Sequence, residues 1–99
     1  MLSFQVRSAA AEEIAQAFQW HESHQLGLGA QFLAELEAAK IQIQRFPLMH
    51  PVIYAQLRRA LIYRFPYQIL YRIRPASIVI VAVFHCKRDP VQWQDRSHE

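Results

Sequence analysis

Seven consecutive apolar residues, Ile78-Val-Ile-Val-Ala-Val-Phe84, constrain this chain more than any other segment. Five of them are β-branched, and branching at Cβ suits the pleated backbone of a strand. A strand with one wet face alternates apolar and polar residues; one with no polar interruption needs cover on both faces. The run is far short of the about 20 residues that span a bilayer. It therefore reads as the central strand of a sheet, for which the rest of the chain must supply neighbours and cover. With only two glycines and five prolines, no flexible linker divides residues 1–99, which read as a single domain.

The neighbours are legible upstream. Leu2, Phe4 and Val6 alternate with Ser3, Gln5 and Arg7, a period-two strand. Ser8 is placed to cap the helix that follows, its hydroxyl accepting a bond from an orphan amide. Glu12 and Glu13 fall in the early turns, where the helix dipole favours negative charge, and with Glu35 and Glu37 they read as a solvated helix face. Over 9–24, Ala10, Ile14, Ala17, Phe18 and His21 recur at three- and four-residue steps. Gly27 and Gly29 mark a turn. Phe32, Leu36, Ala39 and Ile43 form the stripe of a second helix over about 29–45, ended by Pro47.

Residues 57–64 and 67–74 read as two more strands. In the second, Tyr67, Ile69, Tyr71 and Ile73 face one side and Gln68, Leu70, Arg72 and Arg74 the other. Pro75-Ala76 turns into the central strand, and Asp89 to Arg96 reads as a short helix or coil. The order β-α-α-β-β-β predicts an α+β fold, a helical hairpin packed on a mostly antiparallel four-stranded sheet. The first strand reaches a late strand only through the helical hairpin, so that pair is expected to be parallel.

Charge divides the chain. Residues 1–55 carry a net −2 and residues 56–99 a net +5, and seven of the eight cations in the second part are arginine. The planar guanidinium fork suits phosphate and carboxylate, so this part is built to meet anions. The single cysteine, Cys86, cannot form an internal disulfide, and residues 1–7 alternate instead of forming a signal-peptide core. A cytoplasmic protein without a membrane segment is the expectation. His21 and His24 lack a third ligand at metal spacing, and no phosphate loop or catalytic carboxylate pair is present, so neither metal nor cofactor is expected.

The residues suited to chemistry are basic and aromatic. Arg58 and Arg59 precede a hairpin whose second strand carries Arg72 and Arg74, and His85, Lys87, Arg88, Trp93 and Arg96 follow the central strand. Arginines beside aromatic rings suit nucleic acid, with cations on phosphate and rings on bases. The same residues mark protein interfaces. Histidine is the side chain most often used as an acid or base at physiological pH, so His85 is a candidate for that role.

Arg58-Arg59-Ala-Leu-Ile-Tyr-Arg-Phe-Pro-Tyr-Gln-Ile-Leu-Tyr71 resembles the basic strand, turn and next strand of the RelE/ParE superfamily of toxins. His85-Cys-Lys-Arg88-Asp-Pro-Val-Gln-Trp93-Gln-Asp-Arg96 resembles the family's C-terminal tail, and Leu26-Gly-Leu-Gly29 before Phe32 and Glu35 fits as well. The resemblance covers nearly the whole chain. It implies the toxin of a type II toxin–antitoxin module, of the plasmid-stabilisation kind, neutralised by a cognate antitoxin that folds as it binds.

Two targets follow from the resemblance. RelE-type members resemble ribosome-dependent nucleases of messenger RNA, and ParE-type members resemble poisons of DNA gyrase. A nuclease needs a base for the 2′-hydroxyl, cations for the phosphate and an acid for the leaving oxygen. Arg58, Arg59, His85 and Arg88 are its candidates here. Gln68 stands where such nucleases carry an arginine, and the indole of Trp93 only donates. The Phe65-Pro-Tyr67 turn and the tail favour the ParE-like branch, with Arg59, Arg88, Trp93 and Arg96 as the target surface. Arg58, Arg59, Arg72 and Arg74 are expected to meet the antitoxin. The third reading is a small non-toxic interaction domain.

Overall fold

The computed structural model describes residues 2–87, 94 and 96. The elements are β1 (Ser3–Val6), α1 (Ser8–His24), α2 (Leu28–Arg45), β2 (Val52–Tyr54), β3 (Leu57–Leu61), β4 (Tyr67–Ile73) and β5 (Ser77–His85). They form one five-stranded sheet in the order β1-β5-β4-β3-β2. β1 runs parallel to β5, as expected, and the other pairs are antiparallel. The class is the expected α+β.

Three local expectations are corrected. The sheet has five strands, not four, because Val52–Tyr54 pairs with β3 through a tight turn. That turn puts Ala55 and Gln56 at φ 47° and 67°, and three residues beside Pro51 are too few to show a period. β3 ends at Leu61 instead of reaching Arg64, because the chain turns there. Arg64 takes φ 71°, and the Ile62 N–H reaches the Tyr67 carbonyl at 3.0 Å. The cap of α1 is Arg7, without a side-chain hydrogen bond, and Ser8 is already helical. The Arg7 N–H is still bonded to the Ile80 carbonyl at 3.0 Å, so the strand passes directly into the helix.

The helical hairpin is held by one carboxylate. Glu22, in the last turns of α1, accepts the N–H of Gly27 and of Gly29, each at 2.9 Å. Both are orphan amides at the start of α2, so a side chain from one helix caps the next. Gly27 takes φ 87°, a conformation that favours glycine. At Gly29 a Cβ would lie 2.8 Å from the Phe18 ring and from its carbonyl oxygen, so the helices cross at this point with no room for a side chain.

The sheet buries both faces. Ala10, Ala17, Phe32, Leu36 and Ile43 of the helices pack on Ala60, Ile69, Tyr71, Ile78, Ile80 and Val83. Leu57, Leu70, Val79, Val81, Ala82 and Phe84 form a second cluster on the opposite face. The run that reads as a central strand is buried throughout. It is not a regular strand, however. Leu70 pairs with Ala82 and Tyr71 with Ile80, so Val81 is an extra residue, a β-bulge. Val81 and Ala82 consequently share the far face, and Val83 returns to the helix face.

Candidate functional site

Arg58 and Arg59 are adjacent in sequence and opposite in direction. Arg58 pairs across the sheet with Tyr71, on the helix side, and Arg59 with Leu70, on the far side. Arg58 is committed to holding the connection between α2 and β2. Its guanidinium donates to the His50 carbonyl at 2.6 Å and to the Leu48 carbonyl at 3.2 Å. Tyr71 completes that clamp by donating to the Pro47 carbonyl at 2.7 Å. Its single proton is then used, so the His50 Nδ1, 3.1 Å away, is the donor to the phenol oxygen. Burial pushes the Tyr71 phenol up to about 12, against the opposing effect of Arg58. Burial, with a smaller contribution from Arg58, holds His50 below its ordinary value.

Arg59 is exposed on the far face. Arg72 lies on the same face and donates to the Ala55 carbonyl at 3.2 Å, tying down the β2–β3 turn; its buried Nε has no hydrogen-bond partner. Arg74 is exposed beside the β4–β5 turn, where its backbone N–H meets the Ser77 carbonyl at 2.8 Å. The four arginines are thus spread over both faces and along the sheet, and they do not form one cluster.

His85 is the last residue of β5. Its Nδ1 accepts the Lys87 N–H at 3.1 Å, which assigns the proton of the neutral ring to Nε2. Its ring lies 5.4 Å from that of Tyr67. His85 pairs with Tyr67 and Arg58 with Tyr71, four residues further along β4. At about 3.3 Å per residue, roughly 13 Å separates the two positions. Arg58 and His85 therefore do not converge on one phosphate. Cys86 is exposed, not buried as most free cysteines are. Among the described residues no group of three His, Cys, Asp or Glu could hold a metal ion.

Arg88 and Trp93 lie outside the described residues. Arg96 does not, and it is engaged. Its Nη2 lies 2.9 Å from Glu13 Oε2, with both side chains less than one-fifth exposed. The Glu13 carboxylate also accepts the Val83 N–H at 3.0 Å, and Arg96 donates to the Val81 carbonyl at 3.3 Å. Glu13 is thus not the solvated surface residue its sequence position suggests. Together with Glu22 it is the residue that sequence reasoning missed. For Glu22 a signal existed: a carboxylate five and seven residues before two glycines at a helix start. For Glu13 there was none, because its partners lie 70 and 83 residues away.

Beside this ion pair a cavity of about 580 Å³ opens between α1 and the end of β5. Ala17, Trp20, Tyr67 and Val83 line it, with Glu13 and His85 as polar neighbours. His21 is in its wall, buried among Trp20, Phe32, Phe65 and Tyr67. Neither ring nitrogen of His21 has a hydrogen-bond partner. Burial, then the neighbouring His24 and His85, holds it below its ordinary value, so it is neutral at pH 7.

Residues 5–90 match the family described as ParE toxin of type II toxin-antitoxin system, parDE. The fold is similar to that of a chain solved in "Chromosomal ParDE TA system from P. aeruginosa", with a TM-score of 0.65. The likeness covers 86% of this chain and 96% of that one, at 15% identity, and so concerns the fold alone. No curated protein matches the sequence.

Proposed function

The chain belongs to the ParE toxin family of type II toxin–antitoxin systems, and from this premise we propose that it is a cytoplasmic growth-inhibiting toxin, neutralised by a cognate antitoxin, whose target is DNA gyrase. The observation that carries the proposal is the family match over residues 5–90. The geometry supports a toxin that binds its target and performs no chemistry of its own. Arg58 holds a loop, Arg59 faces the other side of the sheet, and His85 lies roughly 13 Å along the ladder from Arg58. A ribonuclease would need such groups around one phosphate.

In this reading Arg59, Arg88, Trp93 and Arg96 contribute to the target surface. Arg96 does so by tying the chain after β5 to α1 through Glu13. The arginines of the sheet, Arg58, Arg59, Arg72 and Arg74, attract an acidic antitoxin segment, which speeds encounter and fixes specificity.

The test is induction of the chain without antitoxin, followed by parallel assays of chromosomal DNA breaks and messenger-RNA integrity. The proposal expects broken DNA, intact RNA, and a purified toxin that makes gyrase accumulate cleaved DNA. Cut RNA with intact DNA would mean a ribosome-dependent nuclease instead. Unimpaired growth would mean an interaction domain.

A further inference from the structure

β2 is the outer strand of the sheet, at the edge opposite β1. The Arg59 N–H bonds the Pro51 carbonyl at 3.0 Å, and Val52 stands across from Arg58. The alternation of an antiparallel ladder then turns the Val52 amide and carbonyl away from β3, to the outside. Among the described residues neither group has a hydrogen-bond partner. The end of the chain lies at the other side of the sheet. Beyond Lys87 it leaves from β5 and is back at β5 by Arg96, which bonds the Val81 carbonyl. β2 is three strand spacings from β5, roughly 14 Å. The three residues after Arg96 span at most about 11 Å.

The surface around the β2 edge is apolar and uncharged. No Asp, Glu, Lys or Arg occurs from Phe46 to Leu57. Phe46, Leu48, Met49, Val52 and Tyr54 are each between 41% and 72% exposed. Edge strands usually carry charge against unwanted pairing; β2 has only Pro51, its shortness and its bulge. The surface is also held in one shape. Arg58 and Tyr71 bond the carbonyls of Pro47, Leu48 and His50 at 2.6–3.2 Å. The apolar side chains above them are therefore presented ready-formed, and little order remains to be lost on binding.

We infer that this edge joins two copies of the chain, β2 to β2, about a two-fold axis at Val52. Such an axis sets the two strands antiparallel and brings the same surface to itself. Val52 then donates its amide to the carbonyl of its copy and accepts in return, as a hydrogen-bonded pair of an antiparallel ladder does. The two five-stranded sheets run on as one. Because β2 has three residues, this pairing sets the register and the side chains supply the area. At roughly 200 Å² for a large side chain fully exposed, the five offer about 550 Å² per copy. A pair covers about 1,100 Å², above the roughly 1,000 Å² at which specific interfaces begin. Charge selects the same partner. Each copy carries a net +3, and a contact through this uncharged surface brings no like charges together. An acidic segment, by contrast, finds no cation between Phe46 and Leu57 except the engaged Arg58 beside them.

The test is sedimentation velocity of the full chain over a range of concentrations, with hydrogen exchange followed at the Val52 amide. A concentration-dependent dimer is expected, in which Val52 exchange slows by about tenfold or more. Leu48→Lys and Met49→Lys each place one lysine from either copy at the contact. Both positions are exposed, so the melting temperature is expected to stay unchanged while the dimer weakens by at least about tenfold. Leu26→Lys, at an exposed position in the α1–α2 turn, is expected to leave the dimer intact. A chain that stays monomeric throughout, a dimer with unchanged Val52 exchange, or a dimer that survives both lysine variants overturns the inference. Lysine variants that lose antitoxin binding while the wild-type chain stays monomeric also overturn it and assign the surface to the antitoxin.

Discussion

Glu13 and Arg96 stand 83 residues apart in the chain and 2.9 Å apart in the fold, where they meet a stretch of sheet edge that no strand of the described residues covers. The carboxylate answers the Val83 amide and the guanidinium answers the Val81 carbonyl. The pair therefore acts as a substitute for backbone pairing as well as a tie between α1 and the end of the chain.

Removing one partner of a mostly buried pair strands the other. Glu13→Ala loses the ion pair and the acceptor for Val83, and about 2–3 kcal/mol of stability is expected to go with them. Glu13→Gln keeps an acceptor oxygen and is expected to lose about 1 kcal/mol less. In a domain of this size 1 kcal/mol moves the melting temperature by about 4–8 °C, so thermal denaturation separates the two variants. Equal losses would mean that the Val83 bond contributes nothing.

Glu22 caps α2 with both oxygens. Glu22→Ala is expected to cost about 1–2 kcal/mol, in the range of a lost charged cap. Gly29→Ala is expected to cost about 1–3 kcal/mol for a different reason, the approach of its Cβ to the Phe18 carbonyl. Urea denaturation of the two variants and of the double variant would show less than additive losses, because Gly29 is also one of the amides Glu22 holds.

Arg58 and Arg59 are expected to separate stability from function. Arg58→Ala removes two bonds to the 46–51 connection and is expected to lower stability by about 1.5 kcal/mol. Arg59→Ala, at an exposed position, is expected to change stability by no more than about 0.5 kcal/mol while weakening growth inhibition or antitoxin binding. Growth assays with matched expression levels, beside melting curves, test the split. An Arg59 variant that melts early but remains fully toxic and antitoxin-sensitive would contradict it.

His21 and His50 give the fold a defined pH dependence. Both are held below the ordinary value of 6.5, first by burial. The unfolded chain therefore takes up protons at these positions before the folded one does, so their contribution is complete above about pH 6.5 and is lost as the pH falls below it. Denaturant midpoints are expected to decrease from pH 7.5 to pH 5. His21→Phe places an apolar ring among Phe32, Phe65 and Tyr67 and removes two unpartnered nitrogens. It is expected to raise stability at pH 5 more than at pH 7.5, leaving the share of His50. A pH dependence identical to wild type would show that His21 is not its source.

The helices, the central strand and the parallel crossover were readable because their signals are local. A 3.6-residue stripe such as Phe32, Leu36, Ala39 and Ile43, or an unbroken run such as Ile78 to Phe84, states which surface must be buried without reference to a partner. β2 was not readable, since three residues carry no period. Nor was the direction of Arg58 against Arg59 as separate tools, because a doublet in a strand has one residue on each face whichever face carries the function. The deepest decision belongs to the bulge at Val81. Under strict alternation His85 would lie on the far face; the extra residue turns Val83 back to the helix side and places His85 beside Tyr67. Seven apolar residues in a row carry no mark of where such an insertion falls, since either face accepts any of them. The bulge coincides with tertiary partners at the edge, the end of β1 at Val6 opposite Ile80, Glu13 on Val83 and Arg96 on Val81, which no local pattern within the run reveals.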